Sequence, residues 1–147
     1  MNEDLRRFID AQDDAYDDAR EELRRGQKTG HWMWFIFPQL RGLGRSQMAL
    51  KYGIASRREA EDYLNHPILG GRLRECAGLV NAVDGKTISE IFGYPDDLKF
   101  KSSMTLFADV AHARTSARDG RVFEKALEKY FKGEKDALTL SKLAEGA

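Results

Sequence analysis

The feature that most constrains the fold is a succession of helix signals along the whole chain. In residues 4–25, apolar side chains recur every three or four positions among charged ones, which is the pattern of an amphipathic α-helix. Gly26 suits the left-handed backbone that commonly ends a helix. Residues 56–59 and 87–90 have the capping-box pattern, in which a hydroxyl and a carboxylate pair with free amides at a helix start. The sequence therefore predicts a mainly α fold.

No repeat, low-complexity tract or long linker divides the 147 residues, a length that suits one core. Residues 31–40 show no helical period, and we interpret them as buried extended or irregular chain. We expect a single compact, irregular multi-helix domain over residues 1–147, with at most a minor extended element and a tail that frays from about residue 144. The predicted helices cover residues 4–25, 46–52, 56–65, 67–85, 88–92, 95–113, 122–131 and 137–143, with a polar link at 115–120.

Charge balance and cysteine content argue against several classes of protein. Lys plus Arg and Asp plus Glu each total 24, so no overall positive charge favours nucleic acid or an anionic membrane. Cys76 is the single cysteine and cannot form an internal disulfide, and the first residues lack the pattern of a secretory signal. The most apolar run, residues 32–38, is far shorter than the roughly 20 residues that cross a bilayer. We expect a cytoplasmic protein with no membrane span, and the oligomeric state stays open.

Two tryptophans mark the first segment that is richer in aromatic and polar residues than a core requires. Trp32 and Trp34 lie two positions apart, so both would face the same side of an extended chain and could stack on a flat ring or a cation. His31 and Gln39 are polar candidates for the same cleft. The alternative is that the aromatic side chains simply fill the core.

The loop that follows is a candidate anion site. Gly44 and Arg45 precede Ser46, the predicted cap of the next helix, so backbone amides and a guanidinium could hold a phosphate. The spacing matches neither a P-loop nor a dinucleotide fingerprint. The alternative is a loop that merely leads into the helix.

Residues 99–107 combine two lysines with three hydroxyl side chains. In a helix, Lys101 and Thr105 share one face and Ser102 lies beside them. Together with Ser103, these residues could bind a phosphate-bearing ligand. The alternative is that the hydroxyls bond to carbonyls one turn earlier while the lysines are solvated.

The histidines indicate no metal site. His31, His66 and His112 are widely separated, and neither Cys-x-x-Cys nor His-Glu-x-x-His occurs. We therefore predict no metal and no cofactor. For an enzymatic function, His31 or Asp96 is the candidate for proton transfer.

Segments spread over nearly the entire chain form a specific pattern. The longest are HWMWFIFPQL at 31–40, GLGRS at 42–46 and KSSMTLF at 101–107, and the others cover residues 4–8, 63–70, 72–76, 91–93 and 95–99. This pattern resembles the bacterial domain-of-unknown-function family 1810. Members of that family typically have a serine before the His-Trp pair, where this chain has Gly30, which argues against a role for a hydroxyl there. The resemblance implies a mainly α-helical fold and no established activity.

We interpret the chain as a small-molecule binding protein or enzyme. Its aromatic and basic residues suit a phosphate-bearing ligand such as a nucleotide or an ADP-ribose derivative. This interpretation requires segments 31–46 and 99–107 to line one hollow that solvent can reach. The alternative is a non-enzymatic protein-interaction module, in which the same aromatics form a core or a docking surface.

Overall fold

The computed structural model describes residues 3–112 and 118–146, and α-helices account for most of them. A 3₁₀ turn at Glu3–Leu5 leads into α1. These residues contain no β-strand, and an isolated parallel bridge joins Leu40 to Ile54. The predicted mainly α fold is confirmed. The helices are α1 (Arg6–Arg25), α2 (Met33–Ile36), α3 (Gln47–Tyr52), α4 (Arg57–Asn65), α5 (Leu69–Asn81), α6 (Ile88–Phe92), α7 (Asp96–His112), α8 (Arg118–Phe131) and α9 (Ala137–Ala144).

Local capping signals set several helix ends as predicted. Gly26 ends α1 in the left-handed region, with φ of 76°. The hydroxyl of Thr87 accepts from the amide of Glu90 and the Glu90 carboxylate accepts from the amide of Thr87, which completes the capping box of α6. Asp136 caps α9 by accepting from the amide of Thr139 at 3.0 Å.

The predicted capping box at the start of α4 forms only in part. The hydroxyl of Ser56 accepts from the amide of Glu59 at 3.1 Å, as predicted. The Glu59 carboxylate, however, accepts from the amide of Ala55 at 3.0 Å and pairs with Arg7 of α1 at the same distance. A tertiary ion pair has therefore replaced half of a local motif.

Three predicted boundaries differ from the structure. Helix α5 is shorter than the predicted 67–85, because the turn before it and the turn after Asn81 are not helical. The last part of the predicted link at 115–120 is wrong, since α8 already begins at Arg118. Residues 113–117, which include the predicted end of α7 and the first part of the link, lie outside the described residues.

Helix α7 lies at the centre of the packing and contacts α4, α6, α8 and α9. Every side chain from Ser102 to Ala108 is buried, as in a helix surrounded on all sides. Helix α1 packs against α2 and α5. Near the start of α7, Phe100 meets Phe37 from the chain after α2, with ring centroids 5.0 Å apart. The two unusual sequence segments are therefore neighbours in the fold.

The tryptophan segment forms a helical turn where the sequence predicts extended or irregular chain. Trp32 is the N-terminal cap of α2 and Trp34 lies within it. Successive residues of a helix are rotated by about 100°, so positions two apart point in nearly opposite directions. The prediction that both tryptophans face one side is wrong for this reason.

Candidate functional site

Glu22 in the last turns of α1 holds the loop that carries the tryptophans. One oxygen, Oε1, accepts from the amides of Thr29 at 2.7 Å and Gly30 at 2.8 Å, and from Nε1 of Trp32 at 3.0 Å. Glu22 is only 7% exposed. A buried carboxylate with several donors is well satisfied, so this contact fixes the path of the loop.

The ring of Trp32 belongs to the core. It is 2% exposed, and it meets Phe37 and Phe92 at centroid distances of 6.3 and 6.4 Å. A ligand has no access to this ring in the structure. We therefore leave Trp32 out of the candidate site.

Two lysines share one carboxylate beside this loop. Nζ of Lys28 lies 2.8 Å from Oδ2 of Asp96, and Nζ of Lys99 lies 3.5 Å from Oδ1 of the same residue. Asp96 supplies one negative charge between the two cations, and the buried Glu22 carboxylate, which holds the same loop, supplies a second. Lys28 also donates to the carbonyl of Gly30 at 2.6 Å, so the start of α7 is tied to the tryptophan loop.

A small recess opens where α2 and α7 meet, and we term it the Trp34–Lys99 recess. Nζ of Lys99 lies 4.8 Å from the centroid of the Trp34 ring, a cation–π distance. The free volume is about 10 Å³, roughly what one water molecule requires. The lining residues are Met33, Trp34, Phe37, Gln39, Ala49, Tyr52, Gly53 and Lys99.

Segments 31–46 and 99–107 thus meet through Lys99, whereas the site residues that the sequence indicated on α7 lie elsewhere. Lys101 pairs with Glu134 at 2.5 Å. Ser102 donates to the carbonyl one turn earlier at 3.2 Å, as the alternative interpretation predicts. Thr105 is fully buried and accepts from the amide of Asp136 at 2.9 Å, and Ser103 is also fully buried. These hydroxyls lie in the protein interior, away from the recess.

The loop before α3 contributes one exposed cation. Arg45 is exposed and makes no ion pair with any residue that the structure describes. Ser46 uses its hydroxyl to cap α3 by accepting from the amide of Ala49 at 3.1 Å. A Cβ on Gly44 would lie 2.9 Å from that of Ala49, so close packing explains the glycine. Of this loop, Arg45 is the residue that remains available to a ligand.

The proposed proton carriers differ in their surroundings. His31 is exposed and has no hydrogen-bond partner in the described part of the chain. Asp96 has both oxygens engaged by Lys28 and Lys99, which makes it a counter-ion in this structure. His66 helps begin α5, because its Nδ1 accepts from the amide of residue 68 at 3.1 Å. Within residues 3–112 and 118–146, no three potential metal-binding side chains cluster together.

Three side chains of this candidate site were not selected from the sequence. Lys28 and Glu22 lie in or after a highly charged helix, where nothing in the pattern separates them from solvated neighbours. Lys99 had a usable signal, because it lies one helical turn after the acidic pair that opens α7. Helical spacing alone does not reveal which lysine faces the tryptophan.

We expect Cys76 to be unreactive in the native protein. The side chain is fully buried, and burial, with the nearby Glu75 carboxylate, raises the pKa of the thiol to about 12. The thiol therefore stays protonated at neutral pH, and the thiolate is the reactive form. Dithionitrobenzoate should react with Cys76 only after denaturation. Prompt stoichiometric reaction of the folded protein would contradict this placement.

Comparison with known proteins identifies relatives but no activity. The profile of a family described as "Protein of unknown function (DUF1810)" matches residues 2–143. A comparison with curated proteins gives no significant match. Among solved structures, the chain is similar to the conserved hypothetical protein Rv1873 from Mycobacterium tuberculosis, with 55% identity, 96% of each chain covered and a TM-score of 0.91. In the described part of the chain, every helix is too short or too polar to span a bilayer. The family match covers nearly the whole sequence, and the chain therefore belongs to the DUF1810 family of proteins of unknown function.

Proposed function

We propose that the chain binds a small molecule through a phosphate or another anionic group at the Trp34–Lys99 recess. The observation that carries this proposal is the position of Lys99, which lies over Trp34 beside Gln39 where the two unusual sequence segments meet. A nucleotide or an ADP-ribose derivative belongs to this class of ligand. An enzymatic role for His31 is an extension of the same proposal.

Local charge supports an anionic ligand. The chain has no net charge, so attraction has to come from a local surplus of cations. Lys28 and Lys99 are balanced by the carboxylates of Asp96 and Glu22, whereas Arg45, an exposed guanidinium on the loop that follows Gln39, has no ion pair with a described residue. An ammonium and a guanidinium are the side chains that proteins use most often to bind phosphate.

The size of the recess restricts how such a ligand binds. About 10 Å³ holds no aromatic ring, and Lys99 already covers one face of Trp34. A nucleobase or nicotinamide would therefore remain outside, while the anionic group approaches Lys99. This differs from the ring stacking that the sequence suggests.

A small-molecule site is favoured over a protein-interaction module. Large exposed apolar side chains occur in several separate parts of the described chain, and single ones are normal on protein surfaces. The recess, by contrast, concentrates donors and positive charge at one place. The exposed apolar residues are Leu50, Ile68, Tyr94, Leu98 and Leu138.

Calorimetric titration tests the proposal, with inorganic phosphate, AMP and ADP-ribose as ligands. Lys99→Ala is expected to weaken binding of the best ligand by about tenfold or more, because a hydrogen bond to a charged group contributes about 1.5–3 kcal/mol. Arg45→Ala should weaken the binding of this ligand less, since the Arg45 side chain is exposed to solvent. No binding by the wild-type protein would end the proposal.

Lys101→Ala is the matched control. Lys101 lies on the same helix, is similarly shielded, pairs with a carboxylate and lies 5.7 Å from the centroid of Phe131, but it does not line the recess. We expect the Lys101→Ala variant to bind the ligand with an affinity within about twofold of wild type. Equal losses in the Lys99 and Lys101 variants would show that the ligand binds elsewhere or responds only to net charge.

A further inference from the structure

A long stretch of the chain around the recess carries positive charge and no carboxylate side chain. Residues 23–58 contain eight Lys or Arg and no Asp or Glu, although the chain as a whole is neutral. All the residues that line the Trp34–Lys99 recess, except Lys99 itself, belong to this stretch. Four of its eight cations pair with carboxylates from other parts of the chain, namely Arg24, Lys28, Arg57 and Arg58.

Two of the other cations lie at the ends of the loop of residues 42–46. Arg41 precedes this loop and is fixed by its backbone, whose amide donates to the carbonyl of Ile54 at 2.8 Å. Arg45 lies just before the residue that caps α3. Both side chains are exposed, and neither forms an ion pair with a described residue.

Lys142 of α9 brings a third cation to the same loop. A Cβ on Gly42 would lie 3.2 Å from Nζ of Lys142, so the ammonium group lies against the backbone of the loop. Within residues 3–112 and 118–146, this ammonium has neither an ion pair nor a hydrogen-bond acceptor. The nearest carboxylate in sequence, that of Glu145, instead accepts from the hydroxyl of Ser141 at 3.4 Å. Like charges held close together repel one another, and a bound anion would offset this repulsion.

The loop and its cations border the Trp34–Lys99 recess. A Cβ on Gly44 would lie 3.6 Å from Nε2 of Gln39, which lines the recess. Nη2 of Arg41 donates to the carbonyl of Gly53 at 3.4 Å, and Gly53 lines the recess as well. An anionic ligand at the recess therefore has a second group of cations beside it.

We propose that Arg41, Arg45 and Lys142 bind a second phosphate group of the ligand whose first phosphate approaches Lys99. The ligand class is then a diphosphate ester, such as a nucleoside diphosphate. This inference rests on the proposed function and deepens it, because Arg45 becomes part of a separate phosphate subsite. A guanidinium can hold two oxygens of one phosphate, and an ammonium adds three donors.

Calorimetric titration with inorganic phosphate and with pyrophosphate tests the inference. We expect pyrophosphate to bind the wild-type chain at least about tenfold more tightly, because its second phosphate gains charged donors. Lys142→Ala and Arg41→Ala should each reduce this advantage to about threefold or less. Their affinity for phosphate should stay within about twofold of wild type, which also shows that the variants are folded.

Lys125→Ala is the matched control for the loss of one positive charge. Lys125 is exposed, lies on α8 beside Asn81 and forms no ion pair with a described residue. Its substitution should leave the advantage of pyrophosphate over phosphate unchanged. An equal loss in the Lys125 and Lys142 variants would overturn the inference, since binding would then follow net charge alone.

Failure of the inference differs from failure of the proposed function. The inference is overturned if pyrophosphate binds the wild-type chain no more tightly than phosphate, or if its advantage survives in either the Lys142 or the Arg41 variant. Phosphate binding that depends on Lys99 would then leave the proposed function standing. Binding of both ligands that Lys99→Ala does not weaken would overturn the proposed function and the inference together. A single-stranded oligonucleotide that binds these cations more tightly than pyrophosphate does would overturn the inference in favour of a nucleic-acid backbone.

Discussion

Glu22→Ala is expected to lower the free energy of unfolding by about 3–5 kcal/mol. The carboxylate is 7% exposed and accepts from two amides of the loop, those of Thr29 and Gly30, and from the indole of Trp32. Alanine leaves all three donors without this acceptor, which costs about 1–3 kcal/mol for the buried indole and less for each of the two part-buried amides. Chemical denaturation followed by tryptophan fluorescence measures the loss.

The neighbouring Glu21→Ala variant is the control for helix propensity and charge. Glu21 pairs with Arg24 at 3.1 Å, but both side chains are more than half exposed. Such surface pairs contribute about 0–1 kcal/mol, so the change in stability should be small. Similar losses in the two variants would show that the loop does not depend on the Glu22 carboxylate.

The contribution of Glu22 to the free energy of unfolding should also depend on pH. Burial by itself raises the pKa of Glu22, but the amides of Gly30 and Thr29 and the indole of Trp32 donate to the carboxylate and bring its pKa below the usual 4.5. A carboxyl group whose pKa is lower in the folded state stabilises the fold above its unfolded pKa, and this stability is lost as the pH falls through the folded pKa. The stability difference between wild type and Glu22→Gln should therefore be largest near neutral pH and shrink below about pH 4.5. A difference that stays constant down to pH 3 would contradict this.

Phe37→Ala is expected to lower the free energy of unfolding by about 3–5 kcal/mol, the usual cost of deleting a buried ring. Phe37 is 1% exposed, and its ring centroid lies 5.0 Å from that of Phe100, 5.9 Å from Phe92 and 6.3 Å from Trp32. It therefore joins the tryptophan loop to α6 and α7. Thermal and urea denaturation, monitored by circular dichroism, measure the loss.

Phe37→Leu distinguishes packing from a specific need for an aromatic ring. Leucine keeps most of the buried apolar surface, so we expect a clearly smaller loss than with alanine. A loss below about 1 kcal/mol in Phe37→Ala would mean that the aromatic contacts around the recess do not hold the fold together.

Much of the helical architecture was predictable because its signals are local. Gly26 and Asp136 act within one turn of the chain, so residues next to them in sequence are enough to predict where α1 ends and α9 begins. The start of α4 was predicted only in part, because Glu59 pairs with Arg7, which is 52 positions away. The turn at Met33–Ile36 carries no helical period in its sequence, since nearly all of its side chains are buried.

The site was less predictable because it depends on the direction in which side chains face. On α7 the sequence offers Lys99 and Lys101 as equivalents, and packing alone directs the first towards Trp34 and the second towards Phe131. Hydroxyl side chains such as Thr105 fit the composition of a phosphate site. In the structure, however, the Thr105 hydroxyl is buried and accepts from the amide of Asp136. The two segments are neighbours through Lys99 and Phe100, neither of which the sequence selected, and a common ligand site formed by them stays a prediction.

Anomalous diffraction from crystals soaked in arsenate, a phosphate analogue, locates an anion without reference to affinity or stability. We predict an arsenic peak at the mouth of the Trp34–Lys99 recess, with one oxygen within hydrogen-bond distance of Nζ of Lys99. Arsenate bound only at other places, with the recess unoccupied at saturating concentration, would contradict the proposal that this chain binds anionic small molecules there.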